Sequence, residues 1–481
     1  MQPRKPLRKT KILITVGPAC WDEETLRSLI KAGVDGFRFN FSHGGIEDQR
    51  PVLERVRTIA KEEQRFVACL ADLQGPKIRV AELSDEPMEI KQGETYCLYP
   101  VGQEHHAPAT PGQIPIDYEH FIDDLSVDDE VYLNDGQLEL IVEHVGNNCV
   151  QARSRVNGLL RSRKGVNIPS ADLSVDAMTE KDHEDLQEIV KHDFDYVALS
   201  FVRRARDLEP AREILEQTEQ NIDLIAKIES RRALDHLEAI IENSEGIIVA
   251  RGDLGVEIGV ERVPYHQKNM IRKANSRGKT VITATQMLES MIEKPVPTRA
   301  EVSDVSNAIL DGSDVVMLSG ETAVGSHPVR SVEAMREIIT ATESDFEEDL
   351  IELVSTVQEG PRKQAISMSN SAARVANEIG ARAIVAPTAS GFTAQIASNT
   401  VSRCPIIALS FDATTRNKAA LYRNVVPYSL KKLSNTDELI EASACAARDL
   451  GYADKGDPVV LLTGLPISRR GVTNFLHVLN V

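Results

Sequence analysis

Along the 481 residues one unit recurs: a short, β-branched apolar run, then a polar turn, then a stretch of helical periodicity. The runs begin at Ile12 (ILITVG), Gly36 (GFRFNFS) and Phe66 (FVACLADL). After a gap they resume at Tyr196 (YVALSFV), Asp223 (DLIAKIE), Gly246 (GIIVARGDL), Thr280 (TVITATQM) and Asp314 (DVVMLSGE). Short runs that are apolar on both faces suit strands of a parallel sheet buried on both sides. Between them, Glu23 to Ala32 reads as a helix stopped by Gly33. Thr298-Arg299-Ala300-Glu301 reads as a capping box whose helix runs to Gly312. Eight strand–helix units in series predict an α/β fold, the TIM (β/α)8 barrel, with its chemistry at the C-terminal ends of the strands.

The gap between the third and fourth runs has another texture. Asn134-Asp135-Gly136 and Gly146-Asn147-Asn148 are hairpin turns between alternating segments, so residues 76–175 are expected to form a small inserted antiparallel β-barrel that projects over the catalytic mouth as a lid. Barrel segments are then expected at 1–75 and 176–344. From 345 to 481 a second α/β series follows, with strands starting near Ala381, Cys404, Val425, Pro458 and Phe475.

Composition narrows the class. Hydrophobic residues make up 42% and charged residues 27%, ordinary for a globular chain with a large core. A formal charge of −18 argues against bulk binding of nucleic acid or anionic membrane. The six cysteines form no C-x-x-C pair, which points to reduced thiols in a cytoplasmic protein. The basic N-terminus leads into an apolar stretch that stops at Val16, too short for a secretory leader or a membrane span.

The strand ends carry the chemistry. Strand two ends in Arg38, Asn40, Ser42 and His43, and strand three in Asp72, followed by Arg79. Strand five ends in Lys227 and Glu229, strand six in Arg251-Gly252-Asp253, strand seven in Thr283 and Thr285-Gln286, and strand eight in Ser319 and Glu321. Buried strands shed ionisable groups because desolvating a charge costs several kcal/mol, so their concentration here marks an active site. Lys227 and Glu229 share a strand face, and Glu229 with Asp253 suits a hard divalent cation. A plain ion pair closing the rim is the other reading of Lys227 and Glu229. Arg38, Arg79, Lys227 and a metal would make a cationic pocket, the environment that phosphoryl transfer requires. Gly278-Lys279-Thr280 is no phosphate loop, since position 273 is Lys and Thr280 opens a strand.

RFNFSHG (38–44), DLQGPKIR (72–79), KGVNIP (164–169), MTEKD (178–182), KIES (227–230), ARGDLGVEI (250–258), ATQMLESM (284–291), PTRAEVSDV (297–305) and LSGETA (318–323) closely resemble the pyruvate kinase family, in the family's order and over essentially the whole chain. The resemblance implies Mg²⁺ or Mn²⁺ on Glu229 and Asp253, and Lys227 stabilising the phosphoryl group in flight. It places the substrate carboxylate at Thr285 and the Gly252-Asp253 turn, with Arg38 as a phosphate ligand. Asn40, Ser42, His43, Arg79 and the lid's Lys164 would line the nucleotide side, and Ser319 and Glu321 the path by which the enolate is protonated. Phosphoenolpyruvate, ADP, ATP and pyruvate are the implied partners, in a homotetramer.

The chain departs from the family at two places. Where many members need K⁺ and carry threonine and glutamate, it has Leu73 and Lys77. Loss of an oxygen ligand beside Asn40, Ser42 and Asp72, together with a new ammonium, implies an enzyme that works without K⁺. In the C-terminal domain, Thr388, Ser390 and Thr393 resemble a loop that grips an effector phosphate. Phe392 stands where many members have a basic residue, which leaves a small anion or sugar monophosphate as the expected allosteric effector, or a merely structural loop. Two other readings stay open: a Schiff-base aldolase using Lys227, and a regulatory binding protein without catalysis.

Overall fold

The computed structural model describes residues 8–84, 86–102, 112–218, 220–345, 361–431, 435–465 and 472–481. Barrel strands one to eight are Lys11–Thr15, Gly36–Asn40, Ala68–Asp72, Tyr196–Leu199, Asp223–Ile228, Gly246–Ala250, Thr280–Ala284 and Val315–Leu318, all parallel in one closed ring. Strand one pairs with both strand two and strand eight, which closes it. The expected helix is Glu23–Ala32, with Asp22 accepting the Thr25 amide at its start and Gly33 at φ 112° at its end. Only glycine takes that left-handed conformation without strain. Thr298 and Glu301 cap the helix Arg299–Leu310 reciprocally.

The ring is filled by Leu13, Leu70, Tyr196, Ile248, Ile282 and Met317, among others. Leu421, from the C-terminal domain, joins this cluster from below and approaches Gly36 at the foot of strand two. Lys418, 1% exposed, pairs with Asp223 at 2.7 Å at the foot of strand five, and its carbonyl accepts the Tyr196 hydroxyl at 2.9 Å.

A four-fold pattern runs around the barrel floor. The carboxylate just before each even strand accepts the second amide of the preceding odd strand: Asp35 from Ile12 at 2.8 Å, Asp195 from Cys69 at 2.7 Å, Glu245 from Leu224 at 3.0 Å, and Asp314 from Val281 at 2.8 Å. Arg8, Arg57 and Arg212 pair with the first three. No ion pair to Asp314 occurs among the described residues, and burial raises its carboxyl to about 7.

The strands between barrel strands three and four form the inserted domain. Both expected hairpins are present, joining Glu130–Leu133 to Leu138–Val145 and the latter to Val150–Ser154. Residues 78–81 hydrogen-bond to both edges of the six-stranded sheet, through Lys164 and Pro115, which closes it into a small barrel. One pair differs from the antiparallel expectation: Thr95–Pro100 runs parallel to Gln113–Ile116. Its connection carries no helix signal in the sequence, so nothing marks it as a crossover. Barrel arginines hold the returning linker. Arg203 donates to the carbonyls of Leu173 and Val175, while Arg204 and Arg232 flank Asp172 at 3.0 and 3.1 Å.

The C-terminal sheet runs Val425–Ser429, Ile406–Ser410, Ile384–Pro387, Pro458–Thr463, Phe475–Asn480, with the last strand antiparallel.

Candidate active site

The strand ends converge at the top of the barrel. Lys227 Nζ donates to Ser200 Oγ at 2.7 Å and lies 3.0 Å from Glu229 and 3.4 Å from Asp72. Asp72, 1% exposed, also holds Arg38 Nε at 2.6 Å, and Arg38 reaches Thr15 Oγ1 at 3.1 Å. The Ser200 hydroxyl donates in turn to the Leu73 carbonyl at 2.7 Å. The second Glu229 oxygen accepts the Phe201 amide at 2.7 Å, from a residue held at φ 55°.

Burial would depress the Lys227 ammonium, but Asp72 and then Glu229 outweigh it and hold its pKa above the usual lysine range. The amine is therefore protonated, the wrong state for a Schiff-base nucleophile. Burial likewise opposes ionisation of Asp72, yet Lys227 and Arg38 keep its carboxyl below the usual range. Asp253 acts electrostatically on both Lys227 and Glu229. Two cations thus face three carboxylates. The uncompensated negative charge, on oxygen donors, fits a divalent cation on Glu229 and Asp253 and would repel an anionic substrate without one.

Strands six and seven meet where the Gly252 amide donates to Thr285 Oγ1 at 2.8 Å. Glu321 turns inward: its oxygens accept the Leu288 amide at 2.9 Å and the Ser319 amide at 2.7 Å. It is 1% exposed, so its contacts fix the loops after strands seven and eight.

The remaining candidates occupy separate places. Asn40 Oδ1 accepts the Ser42 amide at 3.2 Å, and His43 is exposed. Arg79, in the insert, donates to the Arg163 carbonyl at 3.0 Å, beside Lys164. Lys77 lines the cleft between insert and barrel with Asn167, Phe201, Ser230, Asp253 and Glu257. Burial lifts the Glu257 carboxyl to about 7, and Asn167 donates to it at 3.2 Å. In the C-terminal loop, Thr388 Oγ1 accepts the Gly391 amide at 3.0 Å and the Thr393 hydroxyl lies 3.0 Å from that of Thr473. The Arg362 guanidinium lies 5.3 Å from the centre of the Phe392 ring.

Ser200, just past strand four, and Thr15, ending strand one, were not singled out from the sequence; what marks them is a partner from another strand, Lys227 on Ser200 and Arg38 on Thr15. Arg251 was visible at its strand end, but its partners, the carbonyls of Thr285 and Gln286 and the side chains of Asp304 and Gln267, lie 16 to 53 residues away in sequence.

The model of "Pyruvate kinase, barrel domain" matches residues 7–332 and that of "Pyruvate kinase, alpha/beta domain" matches residues 366–479. A pyruvate kinase of Staphylococcus aureus strain MRSA252 is 39% identical over 476 residues, covering 98% of this chain and 80% of its own. That of strain USA300 is 38% identical over the same span and shares.

Proposed function

The chain belongs to the pyruvate kinase family and is an enzyme that moves the phosphoryl group of phosphoenolpyruvate to ADP, giving pyruvate and ATP; we propose that Lys227 and Arg38 hold that group in transit. The carrying observation is the convergence of Lys227 with Asp72, Glu229 and Ser200 at one strand-end cluster. The P–O bond to the enol oxygen breaks as a β-phosphate oxygen of ADP bonds to phosphorus, and the enolate then takes a proton at its methylene carbon. Asp72 and Thr15 orient Arg38 so that its remaining donors face the phosphate. The Thr285 hydroxyl, held in place by the Gly252 amide, and the Asp253 amide receive the substrate carboxylate, as the start of a helix can.

Glu229 and Asp253 would hold Mg²⁺ or Mn²⁺. When bound, such an ion neutralises charge on the phosphoryl and enolate oxygens. Asn40, Ser42, His43, Arg79 and Lys164 flank the nucleotide. Glu321, with both oxygens committed to amides, keeps Ser319 in place beside the path by which water protonates the enolate.

We extend the proposal to independence from K⁺. Leu73 is buried, with its carbonyl accepting the Ser200 hydroxyl, and Lys77 brings an ammonium to the cleft. At about 4 Å and an effective dielectric near 20 such a charge is worth roughly 4 kcal/mol, enough to replace a monovalent ion's field. A coupled assay with phosphoenolpyruvate, ADP and Mg²⁺ tests both parts. Pyruvate should form at full rate in buffer lacking monovalent cations; no pyruvate either with or without K⁺ would refute the activity, and strong activation by K⁺ would refute only the role of Lys77. Family membership also supports a cytoplasmic homotetramer, and the exposed Val260 and Tyr265, at 76% and 71%, offer apolar surface for assembly. A phosphorylated effector at Ser390 and its neighbours belongs to the same proposal. Among the described residues no helix is long and apolar enough to cross a membrane.

A further inference from the structure

Thr285 and Gln286, just beyond strand seven, have φ of 69° and 52°. Left-handed backbone is uncommon outside glycine, and for a β-branched residue such as threonine it is a genuine outlier; residues held this way persist only where surrounding contacts over-determine them. Those contacts come from Arg251, whose side chain is 9% exposed. Its Nε and one terminal nitrogen reach the Thr285 carbonyl at 3.2 and 2.7 Å, and the same terminal nitrogen reaches the Gln286 carbonyl at 3.1 Å. The other terminal nitrogen is held by Asp304 at 2.7 Å, from the helix after strand seven, and lies 3.5 Å from Gln267 Oε1. One planar fork therefore grips both strained peptides, and Asp304 aims the fork. Glu321 steadies the same loop from the other side through the Leu288 amide.

We propose that Arg251, oriented by Asp304, is the positioning residue that keeps the Thr285 hydroxyl against the Gly252 amide and so prepares the substrate-carboxylate site. This rests on the assignment of Thr285 and the Gly252-Asp253 turn to that carboxylate. A lysine cannot reproduce the fork, because it offers a point charge in place of a planar set of donors.

The test is steady-state kinetics of the full chain with each substrate varied in turn. Arg251→Lys should raise KM for phosphoenolpyruvate about ten-fold while KM for ADP stays within two-fold. Adding Gln286→Asn, whose side chain tolerates left-handed backbone, should recover at least three-fold of that loss, a rescue that a merely structural arginine would not show. An Arg251→Lys protein that melts like the parent and keeps its KM for phosphoenolpyruvate overturns the proposal if Thr285→Ala raises that KM. If Thr285→Ala leaves it unchanged too, the carboxylate assignment itself fails. Should Arg251→Lys not fold, Asp304→Asn, at a half-exposed position, decides: a rise of three-fold or more in KM for phosphoenolpyruvate supports the clamp, and no rise overturns it.

Discussion

Lys227→Met removes the ammonium and keeps the length of the side chain. In the native cluster that ammonium sits 2.7 Å from Ser200, 3.0 Å from Glu229 and 3.4 Å from Asp72. A unit charge at about 4 Å and an effective dielectric near 20 is worth roughly 4 kcal/mol. At about 1.4 kcal/mol per decade, kcat should fall roughly 10³-fold. Arg38 and the Thr285 turn remain, so binding of phosphoenolpyruvate with Mg²⁺, followed by calorimetry, should weaken by less than about ten-fold. The variant also leaves Glu229, 2% exposed, with the Phe201 amide and no ammonium; breaking a buried pair costs about 3–5 kcal/mol, so a lowered melting temperature is expected as well. A folded variant whose kcat stays within ten-fold of the parent, or whose loss lies wholly in KM, would refute the assignment of Lys227 to the moving phosphoryl group.

Other perturbations test the scaffold. Burial lifts the Asp314 carboxyl from 3.8 to about 7, so the folded state holds this proton more tightly, and the stability it contributes below the unfolded value is lost as pH rises through 7. At about 1.4 kcal/mol per pH unit the ionised form costs roughly 4 kcal/mol at pH 8. Asp314→Asn keeps an acceptor for Val281 but buries an unpaired amide at about 1–3 kcal/mol, which predicts net stabilisation at pH 8 that shrinks as pH falls to 5. A difference in melting temperature that does not change with pH would count against it. Leu421→Ala should destabilise by about 2–5 kcal/mol, because it opens a cavity at the barrel floor that the ring cannot collapse to fill. Unchanged urea unfolding would show that the leucine is not packed there.

Much of this architecture can be read from the chain because each level has its own signal. Two-faced apolar runs such as ILITVG and GIIVARGDL are short, β-branched and bounded by turn residues, as buried strands are, and Asn134-Asp135-Gly136 is a strong turn signal. Lys227, Glu229 and Asp253 stood out because charge at the end of a buried strand demands a reason. What stayed hidden has physical causes too. The parallel pairing of Thr95–Pro100 with Gln113–Ile116 depends on a connection without periodicity. Ser200 matters through a lysine on the neighbouring strand, and Arg251 through partners 16 to 53 residues away, none of which a local pattern reveals. The acids at 35, 195, 245 and 314 were in plain view, but their meaning depends on which amide each one meets.

That meeting sets the spacing of the reaction centre from the opposite end of the ring. By catching the Leu224 amide, Glu245 indexes the strand bearing Lys227 and Glu229 against the one leading to Asp253. Asp195 does so for the strands ending in Asp72 and Ser200, Asp35 for those ending in Thr15 and Arg38, and Asp314 for those leading to Thr285 and Ser319. Each functional couplet at the mouth thus inherits its alignment from one acidic tooth at the base. A one-residue slip anywhere would forfeit that tooth and turn the paired side chains away from each other.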